Sequence, residues 1–495
     1  MPKQILTSKW GAWILILLTT MLIGCGSNQD GMDEIFITTN SDQARHLFNE
    51  ALATFEKIRF TEAREMFSKA IEVDPGFAMA HYYRAITSST AGEFNEHIQK
   101  AKELSSSVTE GERLMIEASY AALVENNPTR GIEILQQLAE TFPKDKRVHA
   151  TLGNLYYGQD EDDKAIQAFR KAIEIDPDYS TAYNSLGYAY REKGDFEKAE
   201  EAFKNYIRLL PDEANPHDSI ADLYTRMGKH EDAIRHYEKA AELNPKFAVS
   251  QRKIGMNLIY MGKFEEARQA FDKAITMEST VAGKLSDLDR VANSYLYEGK
   301  LNQAQRACED IITLASQEGI PEWQATGHAT RCQVFLAMGD LENAEASMAE
   351  CRNVVMTSDL MQSIKESFIK DALFNEAIIA AKRGDFDAAW QKADEHKTRI
   401  SAGNNPKEME DHHALLGRLY LERGETGEAI EHLKQADMEN PYTVFELASA
   451  YASTGDEEKA TQLYRDVAGW NQHSVDYALV RSHAIEEVNR RVAAK

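Results

Sequence analysis

A single spacing governs this sequence. Leu152, Gly153, Tyr156, Ala165, Phe169 and Pro177 recur 34 residues later as Leu186, Gly187, Tyr190, Ala199, Phe203 and Pro211. The next step gives Ile220, Ala221, Tyr224, Ala233, Tyr237 and Pro245, and a further one Ile254, Gly255, Leu258, Ala267 and Phe271. The frame also runs backwards through Leu135, Leu138 and Pro143 to Ala63, Phe67, Ala70 and Pro75, so seven units fill residues 44–281. A fixed period of this length marks a supersecondary unit that cannot bury its apolar face alone and must stack on copies of itself.

Within a unit the apolar positions describe two helices. Leu186, Gly187 and Tyr190 share one helical face, and Ala199, Phe203 and Tyr206 form an i, i+4, i+7 stripe. Gly194, Gly228 and Gly262 stand between such stripes, where glycine accepts the left-handed conformation that ends a helix. The closing proline stops the second helix because it has no N–H to donate. Gly187 and Ala199 let the paired helices approach, and Phe203 is expected to fill space toward the following unit. Period, Gly/Ala/aromatic/Pro positions and turn together resemble the tetratricopeptide repeat. The resemblance implies an all-α chain, a right-handed α-solenoid of helix-turn-helix repeats with a concave inner groove. Beyond residue 281 the frame loosens. Gly299 with Ala304, Gly339 with Ala344, Gly384 with Ala389, Gly424 with Ala429 and Gly455 with Ala460 mark five irregular units over 282–473, about twelve in all. The segments SQEGIPEWQ and TRISAGNNPKEME are expected to disturb the spacing, the second as a loop. Residues 474–495 read as an amphipathic capping helix.

The N-terminus reads as an address. Lys3 and Lys9 lead into an apolar run over 11–24, shorter than the ~20 apolar residues that span a bilayer and suited to a secretory h-region of ~7–15 residues. An uncleaved membrane anchor and an ordinary cleaved signal are the alternatives. Leu22-Ile23-Gly24-Cys25 resembles the bacterial lipobox, which implies cleavage before Cys25 and a lipid on its thiol. Residues 1–24 are therefore read as a lipoprotein signal peptide, Cys25 as the lipid attachment site and 25–43 as a tether without repeat pattern. Gly26, not Asp, follows the cysteine. The expected place is the bacterial cell envelope, at the outer membrane facing the periplasm, with the inner membrane and surface exposure left open.

Charge narrows the partners. There are 56 basic and 80 acidic side chains, a net charge of −24. Such a surface repels phosphate backbones, so no nucleic acid is expected, and membrane contact is assigned to the N-terminal lipid only. Cys308, Cys332 and Cys351 lack CxxC spacing and are read as packing residues, with a disulfide left open. No GxxxxGK[ST], GxSxG or HExxH occurs. Glu410, Asp411, His412 and His413 are read as an acidic helix start with partly exposed histidines, since neighbours on a helix point about 100° apart. His230 and His236 are read as surface. No metal, cofactor or catalytic centre is expected.

The resemblance further implies that each first helix lines the groove through its second, fifth, ninth, twelfth and thirteenth positions. In units three to seven these include Arg113, Tyr120, Arg147, Asn154, Tyr157, Asn184, Tyr188, Arg191, Glu192, Asp218, Asp222, Arg226, Arg252, Met256 and Tyr260. Five arginines against three acids reverse the balance of the whole chain. Tyr and Arg anchor interfaces, and Arg grips a carboxylate with two parallel bonds. The Lys/Asn carboxylate clamp of some family members is not reproduced, because Ala150 stands where its lysine would be, although Asn154 fits. The expectation is a non-enzymatic scaffold or adaptor for a protein or peptide partner. A glycan ligand in the same groove and an enzyme accessory subunit are the alternatives.

Overall fold

The structure is a computed structural model that describes residues 33–245, 248–401, 407–470 and 474–493. The signal segment and Cys25 lie outside the described residues. Among those described there are 25 α-helices and no strand: twelve consecutive helical hairpins, then the single helix Val475–Ala493. The chain is thus all-α and built as an α-solenoid.

The hairpin Ser180–Glu192 with Phe196–Leu209 shows how the sequence makes each unit. Gly194 takes φ +80° and reverses the chain, and the Asp195 carboxylate then accepts the Lys198 N–H to cap the second helix. Phe203 also serves its own hairpin, a contact that the expected filling toward the following unit did not include. Its ring lies on Gly187 of its own hairpin, where a Cβ would stand 2.5 Å from the ring. Gly153 over Phe169 and Gly255 over Phe271 repeat this packing.

The C-terminal units drift from the 34-residue frame for a reason the sequence reading misplaced. From Val281–Tyr297 to Gln362–Lys382 the helices are longer while the turns between them stay short. Leu301–Gln317, Pro321–Met338 and Gln362–Lys382 have 17, 18 and 21 residues, against 13 and 14 in the hairpin above. Only residues 318–320 of SQEGIPEWQ lie between helices. The other segment is helical at both ends, in Phe386–Ser401 and Glu408–Glu422, and its residues 402–406 lie outside the described ones.

Two compact units divide the chain, one over residues 33–227 with 242–244 and one over 228–241 and 245–493. In both, first helices of successive hairpins approach each other more closely than second helices do, which curves the run with the first helices inside. The N-terminal unit bends far enough for its first hairpin to meet the later ones. Arg59 Nη2 lies 2.8 Å from Glu213 Oε1, and Ser180 Oγ donates to the Glu56 carbonyl at 3.1 Å. The C-terminal unit closes through Val475–Ala493, which packs on Val281–Tyr297. Tyr477 meets Tyr297 edge-on at 5.6 Å, and Arg481 donates to the Tyr260 carbonyl at 2.8 Å. One apolar core therefore joins both ends of that unit, from Ile259 and Phe271 to Tyr464 and Tyr477. No described helix is long and apolar enough to cross a membrane.

Candidate functional site

Five groove positions from the first helices of hairpins four to six converge in the N-terminal unit. The Arg191 guanidinium lies over the Tyr188 ring at 4.7 Å and donates to Glu192 Oε1 at 2.6 Å. Burial alone would lower its pKa, but Tyr188, Glu192 and Asp222 outweigh that and raise it, so Arg191 stays charged. Tyr188 is fixed in turn, with its hydroxyl donating to Ser219 Oγ at 3.2 Å and its ring edge-on to Phe203 at 5.2 Å. Burial pushes the Tyr157 phenol up to about 12, with Arg191, Glu192 and Asp162 among the charges around it. A permanent cation thus sits among two tyrosines and two carboxylates, on the inner face of the run. Such a set can receive an anionic side chain through the guanidinium and apolar or aromatic groups on the phenol rings.

The other expected positions fall into separate places. Arg113 pairs with Glu110 and Glu117, and Tyr120 donates to Gln99 at 2.8 Å under Lys102. Asn154, Asn184 and Asp218 are buried, and Asn184 Oδ1 has no hydrogen-bond partner among the described residues. Arg226 is exposed at the end of Ala214–Arg226. Arg147 is not presented to the groove. It is 2% exposed, ion-paired with Asp145, and its Nη2 donates to the Ile35 carbonyl at 2.8 Å, because residues 33–40 lie across it. Arg252 and Tyr260 belong to the C-terminal unit, where Arg252 ties its hairpin to the next and Tyr260 meets the closing helix. Arg252 Nη2 donates to the buried Asp287 at 2.9 Å, and Tyr260 lies beside Arg481 of the last helix.

Sequence reasoning missed a second arginine of this kind. Arg418 lies 4.0 Å from the Tyr442 ring centroid and 5.1 Å from that of Phe374, and its Nε donates to Glu446 at 2.8 Å. Burial pushes the Glu446 carboxyl up to about 7 even against the pull of Arg418. Aligning Gly384, Gly424 and Gly455 with Gly194 would have put Phe374, Arg418 and Tyr442 on groove positions.

The remaining candidates are packing groups. His412 and His413 do point apart, but His412 is buried and not partly exposed. Each meets a histidine of another helix, His412 facing His396 at 3.4 Å and His413 facing His432 at 3.0 Å between Nδ1 atoms. His230 is half-buried against Asn257 and Tyr260. Cys308, Cys332 and Cys351 are free and buried, and burial pushes the last two thiols up to about 12.

Comparison with known proteins agrees with the hairpin geometry. A family profile described as TPR repeat matches residues 153–194, and profiles described as Tetratricopeptide repeat match 179–246, 253–280 and 411–435. No curated protein matches. Similar solved structures include MamA, at 24% identity and TM-score 0.30, covering 32% of this chain and 93% of that one. A tetratricopeptide repeat protein from Parabacteroides merdae is 17% identical with TM-score 0.38, covering 53% and 98%. YrrB, described as a TPR protein with an unusual peptide-binding site, is 20% identical with TM-score 0.30, covering 38% and 96%. This chain carries tetratricopeptide repeats over residues 153–246, 253–280 and 411–435.

Proposed function

We propose that this protein is a lipid-anchored scaffold of the bacterial envelope that holds a protein or peptide partner on the inner face of its N-terminal unit. The cluster of Tyr157, Tyr188, Arg191 and Asp222 carries the reading. Its guanidinium is seated on a ring and fixed by a carboxylate, so an acidic or aromatic partner side chain meets a prearranged receptor. The net charge of −24 supports a protein partner over a nucleic acid. Leu22-Ile23-Gly24-Cys25 supports the anchor, and Gly26 supports the outer membrane. Two or more acyl chains would suffice for stable attachment.

Labelling with a fatty acid and photocrosslinking test the two halves separately. Label should enter the wild-type chain and vanish in Cys25→Ser. A photoreactive residue at Tyr157 should capture a defined partner in intact cells, while one at the exposed Glu201 should not. Label retained by Cys25→Ser would sink the anchor, and equal capture at both positions would sink the groove.

A further inference from the structure

Residues 33–40 carry no repeat pattern, yet they are held like a ligand. Ile35 donates its N–H to Asp145 at 2.9 Å and accepts from Arg147 at 2.8 Å. Thr38 donates its N–H and hydroxyl to Glu112 at 2.8 and 2.6 Å. Thr109 bonds the Phe36 carbonyl at 3.1 Å, and Arg45 the Ile37 carbonyl at 2.9 Å. Ile35 and Ile37 are buried, and Gly111 leaves room for the first, since a Cβ there would lie 2.8 Å from Ile35 Cγ1. Glu112, Asp145 and Arg147 are themselves buried, so lifting the segment would leave charges short of partners. The segment ends at the turn between hairpins three and four, where Lys144 donates its N–H to the Asp33 carbonyl at 3.2 Å.

We propose that this docked segment moves the membrane anchor from the first hairpin to the junction of hairpins three and four, and holds that edge of the N-terminal unit against the lipid surface. The inference rests on the acylated Cys25 of the preceding section. Eight residue-to-residue steps lead from Cys25 to Asp33, and fully extended they reach at most ~29 Å. Were the chain loose up to Ser41, twice as many steps would double that reach to ~58 Å. A folded partner domain of 100 residues, with a radius of gyration of ~13 Å, has little room beneath such a leash. The partner must approach the unit from another side.

Two insertions in the full acylated protein separate the possibilities. A 24-residue Gly/Ser linker goes either between Asn28 and Gln29, ahead of the docked segment, or between Asn40 and Ser41, behind it. The donor dye sits on Glu140→Cys, an exposed position at the end of helix Pro128–Thr141; Cys308, Cys332 and Cys351 are buried. The acceptor is a headgroup-labelled lipid in phosphatidylethanolamine/phosphatidylglycerol vesicles. The expected result is at least a twofold loss of energy transfer for the first insertion and unchanged transfer for the second. Equal losses, or no loss with either, would overturn the docked leash. Fatty-acid label is read on the same samples. Its absence would remove the anchor, and both readings with it, whereas equal losses in labelled protein would remove the leash alone.

Discussion

At the scale of single residues, the turns and the buried ionisable groups carry the clearest consequences. Where later hairpins use glycine, the first uses Ile58 at φ +59°. The left-handed region costs a β-branched residue ~1–2 kcal/mol, and Ile58 is only half-buried, so burial of its side chain offsets that cost only in part. Ile58→Gly should raise stability by about 1 kcal/mol, read as a higher denaturation midpoint. Burial pushes His396 and His412 down to about 4. The unfolded chain, with histidine near 6.5, then binds more protons, so stability falls as pH drops from about 6.5 toward 4. Glu446 acts oppositely. Pushed up to about 7, it holds its proton better when folded, so its contribution declines as pH rises from the ordinary carboxylate range through 7. Thermal melts should show Glu446→Gln gaining on wild type at pH 8, and His412→Phe gaining at pH 5. Spacing along a helix told which way His412 and His413 diverge. Their depth depends on His396 and His432, which arrive from neighbouring helices.

Helices and hairpins were the most legible scale, because one hairpin recurs and its requirements recur with it. Gly187, Gly194 and Ala199 announced a close helix pair and its turn before any coordinate. The partner of Gly187 was less legible, since a stripe shows which side of a helix is apolar but not which helix it meets. Gly187→Leu would drive a side chain into Phe203. Overpacking of this kind typically costs ~1–3 kcal/mol, and the loss should spread to adjoining hairpins. Circular dichroism melting of the whole chain checks it; an unchanged melt would contradict the Gly187–Phe203 contact. The last helix is more than a polar end cap. Val475, Tyr477, Ala478 and Val480 are buried in the core shared with Val281–Tyr297. Tyr477→Asp should therefore raise amide exchange in Val281–Tyr297, far away in sequence. Exchange confined to residues 457–493 would mean that the closure is not made.

For the whole molecule, the first helices set out an inner face in each of the two compact units, but segments outside the repeat frame cover parts of it. Arg147 is spent on residues 33–40, and Tyr260 on Val475–Ala493. Neither loss could be read from the repeat frame, because covering segments outside the frame follow no register. The cluster around Arg191 is where a partner is proposed to sit. The most direct measurement is recovery of crosslinked partners from solubilised envelope by wild type, by Tyr188→Ala/Arg191→Ala and by Glu201→Ala, each first matched by circular dichroism. Truncating a central anchor commonly costs ~2 kcal/mol or more, a loss of roughly thirtyfold in affinity. The groove variant should lose its partner while Glu201→Ala keeps it, and wild-type recovery should weaken with salt as the Arg191 charge is screened. Equal recovery of the same partners by all three proteins would contradict the account.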